Sequence, residues 1–194
     1  MFIREAAPSS RTPAQYSVMV RLRLLIAVFL LLVLSAASWK RNALYADAVT
    51  LWSDAARKSP NKARPYNNLG LMLKDSNRIP EAMHEFERAV EHGPDNPYAL
   101  NNLATVYCSV GRREECAALL KKAISLKPDY IQARYNLAMY CYEAGLLDEA
   151  LREYSAIMQI DPSSNEAAFA RPMIAGIRDQ KARRTNQSSG TTAP

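Results

Sequence analysis

Three asparagines, Asn68, Asn102 and Asn136, stand 34 residues apart. A carboxamide offers an N–H donor beside a carbonyl acceptor, so a row of them can pair with the backbone of an extended peptide without reading its side chains. Asparagine is a mediocre helix former, and three at one register favour a recognition role over a merely solvated helix flank. Residues suited to covalent or metal chemistry are placed less purposefully. His84 and His92 lie eight apart with no ligand pair or nucleophile at useful spacing, and they read as solvated surface histidines. Glu81, Glu115 and Glu149 also recur at 34, in the first turn of a helical block, where a carboxylate interacts favourably with the helix dipole. No catalytic residue, metal-ligand set or cofactor is expected, and the chain does not read as an enzyme.

Cys108, Cys116 and Cys141 have no CxxC spacing and no nearby histidine pair, which argues against a zinc site or a thioredoxin-like motif. They are expected as small buried hydrophobes. In an oxidising compartment a Cys116–Cys141 pair is the alternative weighed.

The chain of 194 residues is 48% hydrophobic and carries a net charge of +6. That excess sits at the ends: residues 1–60 carry +5, residues 61–162 carry −2 and residues 163–194 carry +3. A near-neutral centre lacks the basic face of a nucleic-acid binder, so no nucleic-acid partner is expected.

The elements that position the asparagines follow from laying the chain in rows of 34. The row 61–94 has Tyr66, Leu69-Gly70 and Leu73, then Ala82, Phe86 and Ala89, closing on Pro94. The row 95–128 has Leu100, Leu103-Ala104 and Tyr107, then Cys116, Leu120 and Ala123, closing on Pro128. The row 129–162 has Arg134, Leu137-Ala138 and Cys141, then Ala150, Tyr154 and Ile157, closing on Pro162. Spacings of three and four in two blocks predict two helices per row. Asn77, Gly111 and Gly145 between the blocks tolerate the left-handed conformation that ends a helix. Gly70, Ala104 and Ala138 let the paired helices approach, as Ala82, Cys116 and Ala150 do from the second helix. Each closing proline stops a helix, and Asn61, Asp95 and Asp129 are expected to cap the next one.

This pattern resembles the tetratricopeptide repeat (TPR), with departures at Arg134, where an aromatic is usual, and at Cys116, where alanine is usual. The resemblance implies an all-α fold, a TPR α-solenoid whose helical hairpins form a right-handed superhelix. Its first helices would line a concave groove. The residues expected there are Arg64, Tyr98 and Gln132; Asn67, Asn101 and Tyr135; Asn68, Asn102 and Asn136; and Leu71, Thr105 and Met139. The asparagine column resembles the ladder in the TPR superhelix of O-linked N-acetylglucosamine transferase. Tyr98, Tyr135 and Tyr142 would add amphipathic contact area, while Tyr107 and Tyr154 fit packing positions. The partner implied is a protein or peptide, with no small-molecule substrate.

Outside the rows, residues 1–17 read as a disordered lead-in and 181–194 as a disordered tail. Residues 18–39 read as a transmembrane anchor, because Leu24 to Ala37 contains no charge and only one polar residue, Ser35. Arg21 and Arg23 would snorkel at one side and Trp39 would mark the other interface. A signal sequence, with cleavage near Ser35-Ala36-Ala37 and secretion, is the alternative. Residues 44–60 match the second half of a row, through Ala48, Trp52, Ala55 and Pro60, and read as a half-repeat helix. Residues 163–180 read as a C-terminal capping helix that Pro172 would kink or interrupt.

The junction "RNALYADAVTLWSDAARKSPNKARPYNNLG" resembles that of membrane O-mannosyltransferase-related proteins with C-terminal TPR repeats. Those relatives are multi-pass proteins with extracytoplasmic repeats, so the resemblance implies that side, periplasm or lumen, and does not extend to the transferase's catalytic part. With its one hydrophobic run the chain itself reads as a single-pass membrane protein. Two alternatives to a general scaffold follow: a non-catalytic accessory subunit of a membrane glycosyltransferase, or an envelope assembly factor.

Overall fold

A computed structural model describes residues 13–189. Among them lie eight helices and no strand: α1 Pro13–Lys58, α2 Ala63–Asp75, α3 Ile79–His92, α4 Pro97–Ser109, α5 Arg113–Leu126, α6 Ile131–Glu143, α7 Leu147–Ile160 and α8 Asn165–Ser189. The chain divides into a unit ending at Asp47 and a unit beginning at Ala48.

In the first unit, Arg23–Lys40 has a mean hydropathy of 1.8 and is fully exposed, long and apolar enough to cross a membrane or to serve as a signal sequence. Residues 13–17 are helical rather than part of an irregular lead, and residues 1–12 lie outside the described residues. No break separates the expected anchor, 18–39, from the expected half-repeat helix, 44–60. The backbone of α1 is assigned through both, since no proline or glycine stands between Pro13 and Lys58 to stop it.

The second unit keeps its period to the residue. Helices α2, α4, α6 and α8 begin at Ala63, Pro97, Ile131 and Asn165, and α3, α5 and α7 at Ile79, Arg113 and Leu147, each 34 after the last. Within each hairpin the turn is a Schellman motif, in which a left-handed residue lets two N–H groups fold back onto the last turn of helix. Asn77, Gly111 and Gly145 have φ of 60°, 84° and 73°. The N–H groups of Arg78, Arg112 and Leu146 reach the carbonyls of Leu73, Tyr107 and Cys141 at 2.8–2.9 Å.

Between hairpins the Pro-Asx pair forms a turn. The N–H groups of Lys62, Asn96 and Tyr130 bond the carbonyls of Ser59, Gly93 and Lys127, each at 3.1 Å, with Pro60, Pro94 and Pro128 at the second turn position. This corrects the expected caps. The helices start two residues after each Asx, so α2 and α6 have Lys62 and Tyr130 at the N-cap without a side-chain bond. At α4 the cap is Asn96, whose Oδ1 accepts from the N–H groups of Tyr98 and Ala99. Asp95 instead pairs with Lys122 at 3.4 Å.

The core runs along the hairpin interiors, with Ala82, Phe86, Cys116, Leu120, Ala150, Tyr154 and Ile157 fully buried. Val49 and Trp52 pack against it from the end of α1, and Ala56 rather than Ala55 is the buried alanine there. Gly70 meets Phe86 so closely that a Cβ would lie 2.7 Å from the ring.

At the far end α8 runs through Pro172 and on to Ser189, so neither the expected interruption nor an irregular start at Lys181 occurs. Pro172 is exposed, which lets water satisfy the Ala168 carbonyl that the ring deprives of a partner. Lys181 pairs with Asp148 of α7. Residues 190–194 of the expected tail lie outside the described residues.

Candidate functional site

The backbones of α2 and α4, of α4 and α6, and of α6 and α8 approach one another, whereas those of α3, α5 and α7 stay farther apart and meet only through long side chains such as Lys121 and Glu149. A stack whose first helices lie closer together than its second helices curves with the first helices on the inside. The expected groove residues all lie on these first helices.

The carboxamides are joined diagonally across the hairpin boundaries. Asn102 Nδ2 donates to Asn67 Oδ1 and Asn136 Nδ2 to Asn101 Oδ1, each at 2.9 Å. Asn67 Nδ2 lies 3.4 Å from Asn68 Oδ1, and Gln132 Nε2 lies 3.4 Å from Asn136 Oδ1. Two columns that the period keeps apart are therefore cross-linked into two amide clusters, Asn67 with Asn68 and Asn102, and Asn101 with Gln132 and Asn136, one at each hairpin boundary. Asn101 is buried, 3% exposed, while Asn67, Asn68, Asn102 and Asn136 are half-buried. Each pairing across a boundary uses one donor of a carboxamide that has two and one oxygen that can accept twice, so the half-buried Asn67, Asn102 and Asn136 keep hydrogen-bonding capacity beyond these two bonds.

The other expected residues divide. Leu71, Thr105, Tyr135 and Met139 are half-buried along the same face. Thr105 Oγ1 is turned onto the Asn102 carbonyl at 2.7 Å, and Met139 Sδ accepts from Tyr154 Oη at 3.1 Å. Arg64 is exposed at one end. Tyr98, 48% exposed, is turned toward the joint after α5: Lys127 Nζ donates to its hydroxyl at 2.7 Å, and its ring meets Tyr130 edge-on at 5.1 Å. Tyr107 and Tyr154 are core residues, and burial drives the Tyr154 phenol up to about 12.

The groove also continues beyond the residues the sequence suggested. Glu166, Phe169, Ala170 and Met173 stand 34 after Gln132, Tyr135, Asn136 and Met139. The Phe169 ring, 64% exposed, lies 6.4 Å from that of Tyr135. The signal was the period itself, which a helix read only as a cap conceals. The face therefore changes character along its length, from carboxamides on α2, α4 and α6 to aromatic and thioether groups on α6 and α8.

The cysteines differ from expectation. Cys108 and Cys116 are joined by a disulfide, and Cys141 is the free thiol, so the alternative Cys116–Cys141 pair is not formed. Cys108 ends α4 and Cys116 begins α5, so the tight turn holds their Cα atoms 5.4 Å apart, within the bonding range. Cys116 and Cys141 are fully buried. Burial, aided by the Glu149 carboxylate, pushes the Cys141 thiol up to about 11.

The recurring glutamates also differ among themselves. Glu81 and Glu115 pair with Arg78 and Arg112 at their own helix starts, while Glu149 faces Lys121 at 3.6 Å and the Cys141 thiol. His84 is exposed, but His92 is half-buried with its ring stacked 5.3 Å from Tyr66. Among the described residues no cluster of His, Cys, Asp and Glu is gathered to hold a metal ion.

Residues 40–97 match a family model described as tetratricopeptide repeat, and residues 75–157 match that of the anaphase-promoting complex, cyclosome, subunit 3 (ANAPC3). No curated protein matches. Among solved structures, YrrB, described as a TPR protein with an unusual peptide-binding site, is 24% identical with a TM-score of 0.61, covering 73% of this chain and 72% of that one. The first TPR of Spaghetti (RPAP3), bound to the HSP90 peptide SRMEEVD, is 20% identical with a TM-score of 0.57, covering 62% and 94%. MamA is 17% identical with a TM-score of 0.59, covering 74% and 94%. The resemblance of the junction to O-mannosyltransferase-related proteins finds no support in these comparisons. Both the repeat geometry and these matches lead to one statement: the chain carries an all-helical tetratricopeptide-repeat solenoid.

Proposed function

We propose that this protein is a membrane-anchored TPR scaffold that binds an extended peptide, or an extended segment of a partner protein, in the groove formed by α2, α4, α6 and α8. The observation that carries the reading is the pair of carboxamide bonds across successive hairpin boundaries, Asn67–Asn102 and Asn101–Asn136, on the first helices, where the half-buried amides keep spare donors and acceptors. A peptide-bound neighbour, the RPAP3 domain with its HSP90 peptide, has the same fold.

Residues 18–39 anchor the scaffold in the membrane, and the repeats lie on the extracytoplasmic side. The Cys108–Cys116 disulfide favours that side, because such bonds persist in oxidising compartments. The accessory-subunit and assembly-factor readings are versions of the same scaffold with a particular partner.

The test is a selection of random peptides displayed on phage against the full chain in a nanodisc. Asn102→Ala and Asn136→Ala should each weaken the selected peptides roughly tenfold, the value of one or two lost hydrogen bonds, with the thermal unfolding curve little changed. Unchanged affinity in both variants removes the carboxamides from the binding surface. Protease access to the repeats from the extracytoplasmic side checks the topology, and protected repeats there contradict it.

A further inference from the structure

Where the carboxamide half of the groove gives way to the aromatic half, the surface opens into a cleft of about 200 Å³ between the second and third hairpins. Thr105 of α4 and Asn136, Met139 and Glu143 of α6 line it together with the Cys108–Cys116 disulfide and Leu120. Leu120 and Cys116 are fully buried, so the cleft reaches past the first helices to α5. We propose that this cleft is a side-chain pocket that takes one apolar residue, phenylalanine, leucine or methionine, from a peptide lying on the carboxamide row, with a basic residue of that peptide a few positions further along. This rests on the groove reading above and adds the specificity that carboxamides cannot supply.

Size is the first argument. Sites for drug-sized ligands run from about 300 Å³ upward, so a 200 Å³ cleft suits one side chain better than a free small molecule. Chemistry is the second. Disulfide and thioether sulfurs beside a leucine make a polarizable apolar wall, which favours aromatic and methionine side chains. Asn136 lines the cleft, so a residue whose backbone pairs with it has its side chain beside the opening.

Charge is the third argument, and it sets the neighbour. Glu143 lines the cleft, and Glu166 follows in the Gln132 column on α8. Neither is in an ion pair among the described residues, while the basic Arg64 stands at the opposite end of the groove. A lysine or arginine beside the cleft meets Glu143, one carried onto the start of α8 meets Glu166, and an acidic residue at either place meets repulsion.

The same phage selection tests the pocket through the composition of the peptides recovered from the full chain in a nanodisc. The expected result is enrichment of Phe, Leu or Met with Lys or Arg within a few residues on one side. Thr105→Trp, which fills the opening, should weaken those peptides roughly tenfold or more, the value of one apolar side chain left in water. Glu143→Gln should reduce the preference for the basic residue alone. Thr105→Leu, a smaller filler, keeps the test decisive if Thr105→Trp does not fold. Peptides that depend on Asn102 but show no apolar preference, and that bind Thr105→Trp and Thr105→Leu as well as the unaltered chain, overturn the pocket and leave the groove standing. Recovery of no peptide above background overturns both.

Discussion

Arg134 Nε donates to the carbonyl of Pro128 at 2.8 Å, across six residues. Two hairpins earlier Tyr66 Oη makes the same bond to Pro60, at 2.9 Å. The arginine that departs from the repeat pattern thus keeps the pattern's hydrogen bond, tying the first helix of a hairpin to the joint before it. It also pairs with Glu153 of α7 at 2.5 Å, with both side chains more than four-fifths buried. Arg134→Ala should destabilise the fold by about 2–4 kcal/mol, since it leaves a largely buried carboxylate unpaired. Arg134→Ala with Glu153→Ala should cost less than the single change, a comparison that denaturant titration makes directly.

Gly70 closes the first hairpin against the Phe86 ring. Gly70→Ala puts a methyl 2.7 Å from the Phe86 ring and should cost about 1–3 kcal/mol. Phe86→Leu in the same chain should recover part of that loss, which thermal melting of the two variants can show.

The disulfide closes a short loop. Reducing agent should lower the stability of the unaltered chain by about 2–3 kcal/mol, from the loop entropy removed, while Cys108→Ser with Cys116→Ser is insensitive to reductant. Equal melting with and without reductant contradicts the bond. Three thiols titrated under native conditions contradict it equally.

Cys141 sets an alkaline limit. Its thiol is raised from an ordinary value of 9.0 to about 11, so the unfolded chain loses that proton first as pH rises. Its contribution is fully present below pH 9 and is lost between pH 9 and 11. Stability should fall across that window, and Cys141→Ala should fall less steeply. Iodoacetamide at pH 8 should modify the native thiol far more slowly than the denatured one.

Among the hairpin turns, Asn77 alone holds a left-handed conformation without being glycine. Asn77→Gly should be neutral or stabilising by up to about 1 kcal/mol, while Gly111→Ala should destabilise by about 1–2 kcal/mol. Chemical denaturation of the two variants should separate them by sign.

Much of this was legible in the sequence because the information is periodic. The closing prolines, the left-handed turn residues and the alternation of small and large core positions all repeat at 34, so each copy checks the others. What escaped depends on angles between helices. The period places Asn67 above Asn101 and Asn68 above Asn102, but the tilt of one helix on the next brings Asn67 to Asn102, 35 residues away. Cys108 and Cys116 were separated on paper by a turn whose closure the spacing does not encode. Phe169 was hidden because a polar face after Pro162 reads as the end of an array, although the inner face of α8 still keeps register. The caps failed by one position, since the Pro-Asx turn must close before the helix begins.

The diagonal amides give the second unit a mechanical property. Each Asn–Asn bond bridges two successive hairpins on the inside of the bend, where a change of curvature moves atoms most. Straightening the spiral stretches both bonds and releases their donors and acceptors together, whereas tightening it locks them. The stiffness of this spring is therefore set by four side chains, Asn67, Asn101, Asn102 and Asn136, one of them buried in the body of the repeat.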